Sequence, residues 1–200
     1  NAVPEAATIT ASDNCDLDVS VTYAEVRTDG NCIDSYTLTR TWTATDNCDN
    51  STTGTQQITV EDNEAPVLDS KPADTAVECD AVPVAANIGA SDNSDQAVDV
   101  VYTEVRTDGN CIDSYTLTRT WIATDNCGNY DEATQQITVE DITPPVLHFK
   151  PEDIVVESNA VPEAATITAS DNCDLDVSVT YAEVRTDGNC IDSYTLTRTW

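Results

Sequence analysis

The sequence predicts an all-β chain built from tandem β-sandwich repeats, and three observations predict it. First, Tyr36 to Asn50 reads YTLTRTWTATDNCDN, returns at Tyr115 to Asn129 as YTLTRTWIATDNCGN, and starts again at Tyr194. In it Tyr36, Leu38, Arg40, Trp42 and Ala44 alternate with threonines, the period of a half-buried strand, and Asp-Asn-Cys then marks a turn. Second, Asp-Gly-Asn-Cys ends at Cys32, Cys111 and Cys190, which sets a period of 79 residues. Asn1 to Trp42 is also identical to Asn159 to Trp200, a shift of 158, so the repeats alternate in an A-B-A pattern. Third, short apolar runs separated by Asx- and Gly-rich turns leave no helical stretch between them.

The second repeat is the most complete and shows each element in turn. Ala65 to Leu68 and Ala73 to Cys79 read as an edge strand, and Val84 to Ala90 as a short second strand carrying Gly89. Ser91 to Asp95 turns the chain. Val98 to Thr107 is a third strand, Asp108 to Asp113 a turn, and Tyr115 to Thr124 the core strand. Asp125 to Asn129 turns again, and Thr134 to Glu140 closes the repeat with Ile137 and Val139 inward. The repeats are thus 1–62, lacking its first strand; 63–141, complete; and 142–200, lacking its last strand, a slice of a longer array. The links Val60 to Val67 and Val139 to Val146 are short and Pro-stiffened, so a semi-rigid rod is expected, each repeat adding roughly 35–40 Å.

Composition narrows the function. With 37 acidic residues against 8 basic ones the formal charge is −29, which excludes nucleic-acid partners and argues against docking on anionic lipid. No apolar run reaches the roughly 18 residues of a membrane span, so direct insertion is not expected. Eight cysteines point to an oxidising, extracytoplasmic location, where a 79-residue repeat with a modest core gains from staples or metals.

Thr-Ala-Thr-Asp-Asn-Cys followed by a strand and Val-Glu-Asp-Asn-Glu-Ala-Pro-Val resembles the tandem bacterial Ig-like and HYR-type repeats of giant surface adhesins. The gliding-motility adhesins of Bacteroidota are among these. The resemblance covers every repeat, and Asp49 and Ser94 depart from it where Gly and Cys would stand. It implies an immunoglobulin-like sandwich, display outside the cell and calcium at the junctions.

Strand geometry constrains the cysteines. Cys32 and Cys48 flank a ten-residue strand and lie roughly 30 Å apart, whereas a disulfide needs Cα atoms within about 4.4–6.8 Å. Following the chain up and down puts Cys15 and Cys48 at one end of a repeat, the top, and Cys79 and Cys111 at the bottom, predicting Cys15–Cys48 and Cys79–Cys111. Ser94 and Ser158 stand where two partners would be, which leaves Cys32 and Cys127 facing one junction. An inter-repeat Cys32–Cys127 bond is one reading; free thiols, or links between chains, are the others.

Carboxylates crowd the same ends. Asp13 and Asp46, Asp92 and Asp125, and Asp171 lie in top loops, and the links bring Glu61 with Asp62 and Glu140 with Asp141 beside them. Hard oxygens from two loops and a link suit Ca²⁺, and a cation would relieve their repulsion. The plainer reading is a set of Asx turns on an acidic surface. No EF-hand spacing is present, and with the thiols committed and His148 the single histidine, zinc is not expected.

Arg40, Arg119 and Arg198 share the inward side with tryptophan and are expected to stack on it or pair with an acid. The threonine stripe reads as an exposed sheet face, with ice, sugar or glycan contacts as the alternative. No catalytic Ser-His-Asp or Cys-His set and no phosphate-cradling loop is present, so an enzyme is not expected. The function expected is the stalk or fibre of a secreted or surface adhesin, its partners being neighbouring repeats, other copies in a fibre and surface glycans. A self-assembling filament or sheath, and carbohydrate-binding accessory repeats of a secreted enzyme, are the alternatives.

Overall fold

A computed structural model describes residues 3–200, and its regular structure is almost entirely strand. Two compact units divide the chain: unit 1 takes Asn1–Ala73, Ala85–Glu104 and Arg119–Gln135, and unit 2 takes Asp74–Val84, Val105–Thr118 and Gln136–Trp200. Their limits cut across the 79-residue sequence repeats, so residues of the second repeat belong to both.

The first repeat forms a three-stranded meander of β1 (Ser20–Asp29), β2 (Tyr36–Thr45) and β3 (Ser51–Val60), with β2 central. Both pairings are antiparallel, from Asp29 opposite Tyr36 to Ser20 opposite Thr45, and from Thr45 opposite Ser51 to Tyr36 opposite Val60. The β1–β2 hairpin depends on glycine: Gly30 N–H donates to Ser35 O at 2.7 Å, and a Cβ on Gly30 would lie 2.6 Å from that oxygen. Arg27 fastens the hairpin further, donating to Asp29 Oδ1 and Ile33 O while its guanidinium lies 3.8 Å from the Tyr36 ring centre.

The second repeat contributes β4 (Val67–Leu68), β5 (Thr75–Glu78), a single 3₁₀ turn at Cys79–Ala81, β6 (Ala90–Ser91), β7 (Asp99–Asp108), β8 (Tyr115–Thr124) and β9 (Tyr130–Glu140). One sheet runs in the order β5-β9-β8-β7, with β5 parallel to β9, and β4 pairs with β6 in a second, antiparallel sheet. Within unit 1, Leu68 and Ile88 pack on Trp121, Ala123 and Ala133, so two sheets face one another over a buried core. In unit 2, Leu117, Ile137 and Val139 form the core beneath Val77 and Val82. The third repeat repeats the plan in β10 (Val146–Leu147), β11 (Ala169–Ser170), β12 (Ala182–Asp187) and β13 (Tyr194–Thr199).

Alternation decides the central strands. Leu38, Arg40 and Trp42 are buried in β2, and Leu117, Arg119, Trp121 and Ala123 in β8. The threonine face is mostly half-buried, not open as expected. The expected strand Val84 to Ala90 reduces to Ala90–Ser91, and the last strand starts earlier, at Tyr130. A side chain accounts for the first difference: Trp121 Nε1 donates to Ala86 O at 3.1 Å, so an indole satisfies a backbone carbonyl that a ladder would otherwise need. Trp42 binds Ala7 O and Trp200 binds Ala165 O in the same way.

Each inward arginine is paired. Arg40 Nε donates to Glu25 Oε2 at 2.7 Å, and Arg119 reaches Glu104 and Arg198 reaches Glu183 at the same distance. The Arg40 guanidinium, followed by the Tyr23 hydroxyl, holds the Glu25 carboxyl below the usual range, and Glu104 is lowered likewise by Arg119 and Tyr102.

After β2 and β8 the chain reverses through one backbone conformation with two residue choices. Gly128 has φ +90°, whereas Asp49, one period earlier, has φ 65°. An L residue in that region carries a steric penalty that glycine lacks. Asp49→Gly is expected to raise the unfolding free energy by about 0.5–1 kcal/mol in a urea melt. An unchanged or lowered midpoint would mean the Asp49 side chain compensates fully.

Candidate functional site

The loops at the top of a repeat are fastened by aspartates. Asp13 Oδ1 accepts N–H bonds from Cys15 and Asp16, Asp92 Oδ1 from Ser94 and Asp95, and Asp171 Oδ1 from Cys173 and Asp174. Asp46 accepts from Cys48 N and Asn50 N and Nδ2, and Asp125 from the matching atoms of Cys127 and Asn129. Those bonds hold Asp13 and Asp92 below the usual carboxylate range through backbone donors, and Asp46 through Asn50 first. The Asx-turn reading therefore describes Oδ1 of each, while Oδ2 of Asp46 and of Asp125 accepts from the Asn50 and Asn129 side-chain amides.

A further carboxylate ties the two top loops together. Asp16 is buried and accepts from Asp18 N through Oδ1 and from Asn47 N through Oδ2, and Asp95 does the same for Ala97 and Asn126. This clamp corrects the disulfide assignment. Cys15 and Cys48 do share one end, yet both are free and exposed. An aspartate joins their loops, and the thiols face outward.

The disulfides instead cross between repeats. In unit 1, Cys32 of the first repeat is bonded to Cys127 of the second, with Cα atoms 5.0 Å apart. In unit 2, Cys79 is bonded to Cys173 of the third repeat, Cα atoms 5.8 Å apart, which excludes the expected Cys79–Cys111 pair; Cys111 is a free thiol. The bottom of one repeat meets the top of the next within each unit, which brings these thiols together across the seam. Around the first bond Asn126 Nδ2 donates to Asp34 Oδ2 at 2.6 Å, Asp62 N to Ser35 Oγ at 3.3 Å, and Asn129 Nδ2 to Asp62 O at 3.3 Å.

That seam gathers acids. Asp62 is 8% exposed, and its Oδ2 is fully buried with no hydrogen-bond partner among the described residues. Its Oδ1 accepts only a long bond from Glu64 N, at 3.4 Å. Burial, and then the charges of Asp92, Asp125 and Asp34, push its carboxyl above the usual range. Beside it lies an open recess of about 410 Å³, lined by Ser35, Thr37, Thr59, Asp62 and Asn129 among others. In unit 2 burial and then Asp171, Glu78 and Asp113 push Asp141 upward, and Asp171 Oδ2 is buried without a partner. Glu78, Asp141 and Cys173 place donor atoms within 4.8 Å of one another, but Cys173 sulfur is spent in the disulfide, so the carboxylates are the ligands on offer.

Of the expected ligands, the seams bring together Asp62, Asp92 and Asp125 in one unit and Asp141 with Asp171 in the other. Glu61 and Glu140 are exposed beside them, whereas Asp13 and Asp46 face one another at the top of the first repeat. Asp34, Asp113 and Glu78 are additions; the first two follow the cysteine of the Asp-Gly-Asn-Cys turn by two residues, a recurring position open to notice. Buried, unpartnered carboxylate oxygens among like charges fit a hard divalent cation such as Ca²⁺. Tyr23 is 46% exposed and leans on Trp42 at 5.4 Å between ring centres.

No protein-family model matches the chain, and no curated protein matches it. Among solved structures, a protocadherin gammaB7 EC3-6 cis-dimer is similar over 76% of this chain at 15% identity, with a TM-score of 0.29. The chain spans 51% of that protein's chain, and a score so low transfers neither domain identity nor activity.

Proposed function

We propose that the chain is a load-bearing segment of an extracellular adhesin stalk, with repeats joined covalently and stiffened by calcium at their seams. One observation carries this reading: both disulfides link one repeat to the next, and neither lies inside a repeat. A bond inside a repeat would stabilise that repeat alone, whereas a bond across a seam keeps neighbours attached when either is strained. Disulfides also favour an oxidising compartment outside the cytoplasm. Among the described residues no helix is long and apolar enough to cross a membrane.

Asp62, Asp34, Asp92 and Asp125 would hold a cation at the first seam, and Asp141, Asp171, Glu78 and Asp113 at the second. A bound cation supplies positive charge where burial and repulsion now oppose ionisation. Thermal melts in calcium and in chelator test this. At calcium roughly 100-fold above Kd the gain should be about 2.7 kcal/mol. Asp62→Asn should remove much of the calcium increment while stabilising the chelated protein, since it takes an uncompensated buried charge away. Superimposable melts with and without calcium would remove the seam cation. Loss of the reductant effect described in the Discussion would remove the stalk reading itself.

A further inference from the structure

The two disulfides are of two types, and the repeat periods extend them to every other cysteine. Cys32–Cys127 joins a bottom hairpin to the turn after a core strand 95 residues on, and Cys79–Cys173 joins a 3₁₀ turn to an Asx loop 94 residues on. Cys111 and Cys190 stand one and two periods after Cys32. Cys48 stands one period before Cys127, and Cys15 two periods before Cys173. All four are exposed free thiols at positions that are bonded across a seam elsewhere in this chain. A partner 95 residues beyond Cys111 or Cys190, 94 before Cys15 or 95 before Cys48 falls outside the 200 residues.

The serines supply a second, independent observation. Ser94 stands one period before Cys173, and Ser158 one period after Cys79. Under the 158-residue period these are the two ends of one bond at one kind of seam, so both cysteines are replaced together and no odd thiol is left. The A-to-B seam then carries one bond, and the B-to-A seam carries two.

We infer that Cys15, Cys48, Cys111 and Cys190 are half-cystines that bind thiols of adjoining repeats of this same kind. Cys111 takes a Cys48-type partner and Cys190 a Cys127-type partner; Cys48 takes a Cys111-type partner and Cys15 a Cys79-type partner. Each bond forms as two thiols lose two protons and two electrons to a disulfide oxidant such as oxidised glutathione, which becomes two reduced glutathiones. The adjoining repeat belongs either to the same chain or to a second copy, and the test separates these sources.

Two proteins are oxidised in a glutathione buffer, alkylated and mapped without reduction: the 200-residue chain, and that chain lengthened after Trp200 by a second copy of residues 43–141. In the lengthened chain Cys111 should be bonded to the copy of Cys48 and Cys190 to the copy of Cys127, beside the Cys32–Cys127 and Cys79–Cys173 reference bonds. Serine at the copied Cys48 should then free Cys111 alone. A covalent dimer of the 200-residue chain through Cys111 and Cys48 would place the partner on a second copy. Alkylated Cys111 or Cys190 in the lengthened chain, or a bond between Cys15 and Cys48 or between Cys111 and Cys190, would overturn the inference.

Discussion

Replacing Cys32 and Cys127 together with serine is expected to lower the unfolding free energy of unit 1 by about 3–5 kcal/mol. The bond closes 95 residues, and chain-entropy reasoning gives about 4.7 kcal/mol at 25 °C for a loop near that length, before any native-state relaxation. Thermal melts followed by near-ultraviolet circular dichroism read the loss, and reductant should reproduce it in the unsubstituted protein. The Cys79 and Cys173 pair closes a loop of similar length in unit 2, so its removal should shift a separate transition by a similar amount. A change under about 0.5 kcal/mol in both would mean the seams hold without their bonds, and the mechanical reading would fail.

Trp121→Ala is expected to cost about 3–5 kcal/mol, the range for truncating a large aromatic in a core. Trp121 is 1% exposed, packs with Leu68, Ile88 and Ala133, and donates through Nε1 to Ala86 O. Two losses are therefore combined, a cavity and an unsatisfied carbonyl. Trp121→Phe separates them, because it keeps most of the ring and loses the donor, at about 1–3 kcal/mol. Urea denaturation measures both; a phenylalanine variant as damaged as the alanine one would place the whole effect in the hydrogen bond.

The central strands were legible because one face of each is buried, and burial writes itself into sequence with a period of two. Tyr36 to Thr45 and Tyr115 to Thr124 appear in the structure with the bounds the alternation set. The Val84 to Ala90 stretch misled because its residues suit a strand while its Ala86 carbonyl is satisfied by an indole 35 residues away. Cysteine partners were harder. Strand length separated top from bottom correctly, but could not reveal that Asp16 and Asp95 already bind the top loops together, leaving the sulfurs to neighbours. Asp62 was legible as an acid at a link; that its Oδ2 is buried without a partner depends on how the seam closes.

The two covalent closures overlap along the chain, since Cys79 precedes Cys127. Pulled from both ends, a polymer so tied carries tension between its two bonds along three backbone stretches side by side, 32–79, 79–127 and 127–173. The shortest of these, the 46 residues from 127 to 173, goes taut first, against 141 without the ties, or about 160 Å instead of roughly 500 Å of slack. The fibre would behave as a tether on a short leash even after its sandwiches had come apart.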